Sequence, residues 1–177
     1  KTLILHPIFL EDTADPDYKM EEAIGLASAI NLDIDRSLLV SVKNPKPESL
    51  FASGKVAELG DYITAHEIEL VYINSKLTPI QQRNLEKDWN VKVIDRSGLI
   101  LEIFGARAVT QEGKLQVELT ALEYQKSRLV RSWTHLGRQR GGFGFMGGPG
   151  ETQLELDRRL INGRIAKIKT LLSKVVK

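Results

Sequence analysis

Residues 137–150 read Gly-Arg-Gln-Arg-Gly-Gly-Phe-Gly-Phe-Met-Gly-Gly-Pro-Gly and hold seven of the chain's 14 glycines. A backbone so rich in glycine loses too much entropy on ordering to form a helix or a strand by itself. Helical patterns lie on both sides of it, over residues 115–136 and from residue 152 to about residue 176. The sequence therefore predicts a loop held between two helical stems, with the rest of the chain supporting it.

The two stems carry matching apolar seams, as expected for helices that pack against each other. The first seam follows alternating steps of four and three residues, with Lys126 in one of its places: Leu115, Leu119, Leu122, Leu129, Trp133 and Leu136. The second stem opens with a capping box, Thr152 to Glu155. Its seam is Ile161, Ile165, Ile168, Leu172 and Val175. We expect a long antiparallel two-helix hairpin, with stems of about 112–136 and 151–176, each roughly 33 Å long, and tip loop 137–150.

Strands and helices alternate along the first hundred residues. Short runs rich in leucine and β-branched residues predict strands at residues 3–5, 38–42, 70–73 and 91–94. Helical spacing lies between them, at Met20, Ala23, Ile24 and Ala27, and again at Val56, Leu59 and Ile63. This alternation predicts an α/β domain over residues 1–108, with a small four-stranded parallel sheet flanked by helices. The helical hairpin then occupies residues 109–177.

Two helix starts carry specific signals. Thr78 is the predicted N-cap of a helix with Pro79 in its first turn, and Gln81 closes a capping box. Asp95 is the predicted cap of the next helix, which we expect to end at Gly105.

Charge is divided unevenly between the two parts of the chain. The net charge of +2 combines 13 basic and 18 acidic residues in 1–114 with 12 basic and 5 acidic residues in 115–177. A basic second part is typical of proteins that meet a polyanion. Basic, glycine and aromatic residues near the tip are of the types that contact phosphates and stack on unpaired bases. The candidate RNA-contacting residues are Lys126, Arg128, Arg131, Arg138, Arg140, Gly141, Gly142, Phe143 and Phe145.

Several kinds of site are not indicated by the sequence. The chain has no cysteine, and its three histidines show no metal-ligand spacing. Around Gly54 and Lys55 a phosphate loop would need glycine at position 49 and Ser or Thr at position 56, where the chain has Ser49 and Val56. We therefore expect no catalytic residue, cofactor or metal in this chain, and interpret residues 1–108 as a scaffold. No apolar run is long enough to span a bilayer, so we expect a cytoplasmic protein.

The segment Gly-Gly-Pro-Gly-Glu-Thr-Gln-Leu-Glu-Leu-Asp-Arg-Arg at residues 147–159 resembles the motif that precedes the GTPase domain of HflX-type ribosome-associated GTPases, in the Obg–HflX superfamily. Further similar segments lie upstream, at residues 53–59, 77–85, 93–104 and 106–108. The resemblance covers nearly the whole chain. It implies an α/β N-terminal domain, a long helical hairpin and then a GTP-binding domain, of which this chain holds only the first two.

The same resemblance implies a function. The chain is expected to be the N-terminal ribosome-binding region of an HflX-like GTP-binding protein, acting in ribosome rescue or splitting. Its implied partners are the large ribosomal subunit, ribosomal RNA and the C-terminal G domain of the same protein. GTP and Mg²⁺ are implied for that G domain, so GTP hydrolysis is not expected of this chain alone.

Two other functions remain open from the residues. A nucleotide-binding enzyme could use the glycine-rich loop as a phosphate cradle at the start of the second stem, although Glu151 and Glu155 place negative charge there. A homodimerisation module could pair the apolar seams of two chains. We expect a monomer.

Overall fold

The computed structural model describes residues 1–128 and 154–175, except for the side chains of 128 and 154–158. The chain divides into two compact units, Lys1–Leu99 and Ile100–Lys177. The strands of the first unit are β1 (Thr2–Phe9), β2 (Ile34–Val42), β3 (Leu70–Ile73) and β4 (Lys92–Asp95). Its helices are α1 (Pro16–Ser28), α2 (Ser53–Ala65) and α3 (Pro79–Trp89), while α4 (Arg96–Arg107) starts there and runs into the second unit. The second unit also contains α5 (Gln111–Arg128) and α6 (Leu154–Val175).

The four strands form one parallel sheet in the order β2-β1-β3-β4, which confirms the predicted fold class. β1 is central and pairs on both sides, so that Leu5 lies beside Leu38 of β2 and beside Ile73 of β3. The chain moves from β1 to β2 on one side and then returns to place β3 on the other. In open parallel sheets, the carboxyl end of the strands at such a reversal is where ligands usually bind. In this fold that position is the carboxyl end of the gap between β1 and β3.

One face of the sheet packs into a continuous apolar core with residues of α2 and α3. Alternate residues of the strands, such as Leu3 and Leu5, point into it because strand side chains alternate between faces. Phe51 and Trp89 fill the space between the helices, with ring centroids 6.4 Å apart. The indole Nε1 of Trp89 donates a hydrogen bond to the carbonyl oxygen of Val56 over 2.9 Å.

The predicted helix starts are confirmed. Thr78 accepts a hydrogen bond from the backbone N–H of Gln81, and the Gln81 side chain accepts one from the N–H of Thr78. Asp95 accepts from the N–H of Gly98 over 2.9 Å, which caps α4.

The predicted end of α4 is wrong, since the helix runs through Gly105 to Arg107. A single glycine costs a helix only about 1 kcal/mol, so it does not by itself end one.

The second unit contains the two helices of the predicted hairpin. α5 and α6 pack against each other, with Ile161 and Ile165 buried against Leu119 and Leu122. This part of the predicted seam is confirmed. Of the other predicted seam positions, Leu115 and Ile168 are buried and Leu172 is half-buried, whereas Val175 is 46% exposed and does not belong to the seam. Leu129, Trp133 and Leu136, and the predicted cap Thr152, lie outside the described residues. In the described part of the chain, no helix is long and apolar enough to cross a membrane.

Candidate functional site

The α6 helix presents a basic surface. Between residues 159 and 175 it carries five basic residues and no acidic one: Arg159, Arg164, Lys167, Lys169 and Lys174. All except the half-buried Arg164 are exposed. The buried isoleucines of the same helix lie in the seam, which leaves the cations on the remaining faces.

Two of these cations are paired with acids of α5. The Arg164 guanidinium makes a bidentate contact with Glu118, with N···O distances of 2.7 and 3.0 Å. These hydrogen bonds raise the pKa of Arg164. Lys169 lies 4.0 Å from Glu123 at an exposed position, where such pairs stabilise little. No ion pair joins Arg159, Lys167 or Lys174 to another described side chain. Their positive charge is available to a polyanion.

The predicted RNA-contacting residues fall mostly outside the described part. Lys126 is exposed on α5, and Arg128 is the last residue of that helix. The others lie outside the described residues: Arg131, Arg138, Arg140, Gly141, Gly142, Phe143 and Phe145. Their role in RNA contact stays a prediction.

A polar network lies at the carboxyl ends of β3 and β4 and includes His6 of the neighbouring β1, beside the reversal in strand order. Asn74, directly after β3, is its centre and is only 5% exposed. Its Oδ1 accepts hydrogen bonds from the Tyr72 hydroxyl over 2.8 Å and from Arg96 over 3.2 Å. Its Nδ2 lies 3.1 Å from His6 Nδ1 and 3.4 Å from the carbonyl oxygen of Lys19. The network joins β1, α1, β3 and the start of α4.

The charged groups in this network, Arg96 and Glu22, are paired, and burial shifts the pKa values of Tyr72 and His6. Arg96 donates to Glu22 over 2.5 Å, which holds the pKa of that carboxyl below its usual range. Burial raises the pKa of Tyr72. The pKa of His6 is lowered, chiefly because burial disfavours the charged imidazolium.

The network acts chemically as a cross-link between elements. An amide side chain can donate two hydrogen bonds and accept two, and Asn74 makes all four within the protein. Arg96 is neutralised by Glu22. No cluster of three metal-ligating side chains occurs among the described residues. The geometry therefore favours a structural role for the network over ligand binding.

Sequence reasoning missed this network. His6, Asn74 and Arg96 are far apart in the chain and become neighbours only because β1, β3 and β4 lie side by side. The sequence did contain one indication of the network, because a polar residue directly follows each of two buried strands: Asn74 follows β3 and Arg96 follows β4.

A buried ion pair lies between α3 and β4. The Nζ of Lys92 is 3.9 Å from an Oε2 of Glu86, and the two side chains are 3% and 1% exposed. Burial lowers the pKa of Lys92 to about 8, against the opposing effect of Glu86. The folded protein therefore releases this proton at a lower pH than the unfolded chain, in which a lysine has a pKa of about 10.4.

This difference predicts a pH-dependent contribution to stability. Between about pH 8 and pH 10 the unfolded chain binds more protons at Lys92, so its contribution to the free energy of unfolding should rise with pH. Urea unfolding of the original chain and of Lys92→Met/Glu86→Gln across this range isolates the effect, because the variant lacks both members of the ion pair and shares all other titrating groups. The difference between the two should change by about 2–3 kcal/mol. If the free energies of unfolding of the two proteins changed in parallel with pH, the lowered pKa of Lys92 would be contradicted.

The sequence matches two family profiles that together cover most of the chain. "GTP-binding GTPase N-terminal" matches residues 17–105, and "GTP-binding GTPase Middle Region" matches residues 107–177. These ranges contain the carboxyl-end network except His6, and all of α5 and α6.

Curated relatives share substantial identity with the chain. "GTPase HflX" of Magnetococcus marinus is 55% identical over 156 residues, which cover 88% of this chain and 36% of that protein. "GTPase HflX" of Escherichia coli K12 is 43% identical over 177 residues, which cover 100% of this chain and 41% of that protein. The chain thus spans about two-fifths or less of the length of these relatives.

Solved structures share the fold. The crystal structure of a GTP-binding protein from the archaeon Sulfolobus solfataricus in complex with GDP superposes with a TM-score of 0.64. The match covers 99% of this chain and 45% of that one at 21% identity. At this identity the likeness concerns the fold alone.

Proposed function

This chain belongs to the HflX family of GTPases, and we propose that it is the ribosome-binding N-terminal region of such a protein. In this proposal the helix pair docks on the RNA of the large ribosomal subunit, and residues 137–150 form the contact loop during ribosome rescue or splitting. The observation that carries it is the basic surface of α6, which has five cations and no acid over residues 159–175.

The placement of these cations supports binding to a phosphate backbone. Lys167 and Lys174 are seven residues apart, which places them on the same face of α6, and both are exposed. Neither is paired with another described side chain, so each is available to neutralise a phosphate and release a counterion. Glu118 and Glu123 of α5 engage other cations, which holds their negative charge against α6.

The GTP chemistry is assigned to another part of the family protein. The relatives carry the name GTPase, and this chain corresponds to 36% and 41% of their lengths. We propose that GTP and Mg²⁺ bind a G domain that is a partner of this chain within one protein, and that the protein acts as a monomer in the cytoplasm.

Binding to the large subunit can be tested by cosedimentation. We expect the chain to bind purified large subunits with an affinity that falls as salt is raised. Arg138→Ala/Arg140→Ala and Lys167→Ala/Lys174→Ala should each weaken binding and reduce the slope of log affinity against log salt by about 2. The first variant tests the loop and the second tests the helix surface.

A matched control removes the same charge from the α/β unit. Lys43 and Lys87 are exposed there, so Lys43→Ala/Lys87→Ala should leave both affinity and salt slope close to the original. Equal loss in all three variants would mean that only net charge matters and would contradict the proposed surface.

Binding of labelled GTP or ATP by the chain alone would favour the nucleotide-binding alternative. A dimer in sedimentation equilibrium would favour dimerisation.

A further inference from the structure

The hydrogen bonds of Asn74 determine which way its amide points. Arg96 donates to one of the two terminal atoms, and a guanidinium has donors only and no acceptor. The atom facing Arg96 must therefore be the amide oxygen. The Tyr72 hydroxyl donates to the same oxygen over 2.8 Å. Rotating the amide by 180° would place its NH₂ group against the Arg96 donor, so only one orientation is compatible with the network.

This orientation fixes the protonation state of His6. The NH₂ group of Asn74 faces His6 Nδ1 over 3.1 Å, so that ring nitrogen must accept the hydrogen bond. An imidazole nitrogen accepts only when it carries no proton. His6 is consequently neutral in this arrangement, with its proton on Nε2.

We propose that the contact between His6 and Asn74 is a pH-operated latch at the carboxyl edge of the sheet. The latch is closed while His6 is neutral. Protonation places an N–H on Nδ1 directly opposite the Asn74 NH₂ group, so the hydrogen bond is lost and two donors face each other. Asn74 cannot turn to offer its oxygen without breaking the bonds from Tyr72 and Arg96.

The surrounding charges influence how readily His6 is protonated. Lys19 of α1 and Arg96 of α4 disfavour the charged imidazolium, whereas Asp12 in the segment after β1 and a hydrogen bond to the backbone of Asn74 favour it. Glu22 of α1 is engaged by Arg96. Burial outweighs these effects and lowers the pKa of His6 below its usual value. Because the unfolded chain then takes up this proton more readily, the latch stabilises the fold above about pH 6.5 and is lost as pH falls through the folded pKa.

Opening the latch has a defined structural consequence. His6 belongs to the central strand β1, and Asn74 begins the segment that follows β3. The backbone N–H of Asn74 also donates to the carbonyl oxygen of Leu5 over 2.8 Å. When the side-chain hydrogen bond between His6 and Asn74 is lost, this backbone hydrogen bond still joins β1 to the segment after β3. The exchange rate of the Asn74 backbone amide hydrogen therefore reports the opening.

Long-range ¹H–¹⁵N NMR correlations of the histidine rings test the proposal directly. At pH 7.5 we expect His6 to carry its proton on Nε2, with Nδ1 unprotonated. On acidification its titration midpoint should fall below 6.5, and Asn74 amide exchange, corrected for its intrinsic pH dependence, should accelerate about tenfold or more through the same pH range. A proton on Nδ1 at pH 7.5, or exchange that does not follow the titration, would overturn the proposal.

Two variants separate the latch from general packing. Asn74→Asp keeps an acceptor for Tyr72 and Arg96 and replaces the NH₂ donor by a second acceptor, so the His6 midpoint should rise by at least one pH unit. His6→Asn offers an acceptor near the place of Nδ1 without titrating, so exchange at Asn74 should lose its acid-dependent step. His66→Asn changes an exposed histidine elsewhere and should retain that step. An unmoved midpoint in Asn74→Asp would contradict the latch.

Discussion

Replacing Trp89 by alanine should lower the free energy of unfolding by about 3–5 kcal/mol. Trp89 ends α3, is 5% exposed and fills the core between α2 and α3. The truncation removes its contact with Phe51 and leaves a cavity in the core. It also removes the donor that pairs with the carbonyl oxygen of Val56. Urea unfolding followed by far-UV circular dichroism measures the loss independently of the indole fluorescence.

The fit around Trp89 limits how far the site can collapse after truncation. A methyl group added at Gly60 would lie 3.3 Å from the indole Cδ1, so α2 already approaches the ring closely there. Trp89→Phe provides the control, because it keeps an aromatic ring and loses the indole donor. We expect a smaller cost of about 1–2 kcal/mol. A cost below 1 kcal/mol for alanine would show that the ring does not organise this core.

Replacing Asp95 by alanine should cost about 2–4 kcal/mol of folding free energy. The side chain is fully buried at the end of β4. One oxygen accepts from the N–H of Leu77 over 3.1 Å and the other from the N–H of Gly98 over 2.9 Å. Alanine removes this acceptor from both buried donors, and a lost partner costs about 1–3 kcal/mol for each group. One carboxylate thus holds both the segment before α3 and the start of α4.

Asp95→Asn is the informative comparison. Asparagine keeps one acceptor oxygen and presents NH₂ where the second acceptor was, so only one of the two backbone bonds can remain. We expect its stability, measured by the same denaturant titration, to lie between the original chain and Asp95→Ala. Asp88→Ala removes an exposed acid from α3 and should change stability by less than about 0.5 kcal/mol. If Asp95→Ala matched this surface variant, the bridging role would be refuted.

Local signals in the sequence predicted the elements well. The Thr78 capping box and the Asp95 cap were both correct, because caps depend on residues three positions apart in the chain. The strand at residues 70–73 was also correct at both ends. The strand in residues 3–5 extends further, to Thr2–Phe9, because β2 pairs with it along its whole length, including His6 and Pro7, which no strand pattern marks.

The contacts that the sequence did not predict depend on which strands lie next to each other in the sheet. The interpretation of residues 1–108 as a plain scaffold overlooked the contacts of Asn74, which require β3 to lie between β1 and β4. Neither periodicity nor capping specifies that order. Charge patterning did indicate a basic second part, and the described surface of α6 carries that charge.

The central position of β1 has a consequence for biosynthesis. It is translated before both of its neighbours, and β3 follows about 60 residues later, on the order of 3–12 s at ordinary elongation rates. During that interval one edge of a largely apolar strand has no native neighbour to pair with. The nascent α/β unit is thus exposed to misfolding until β3 has been made, and slow codons between residues 10 and 69 would prolong the exposure.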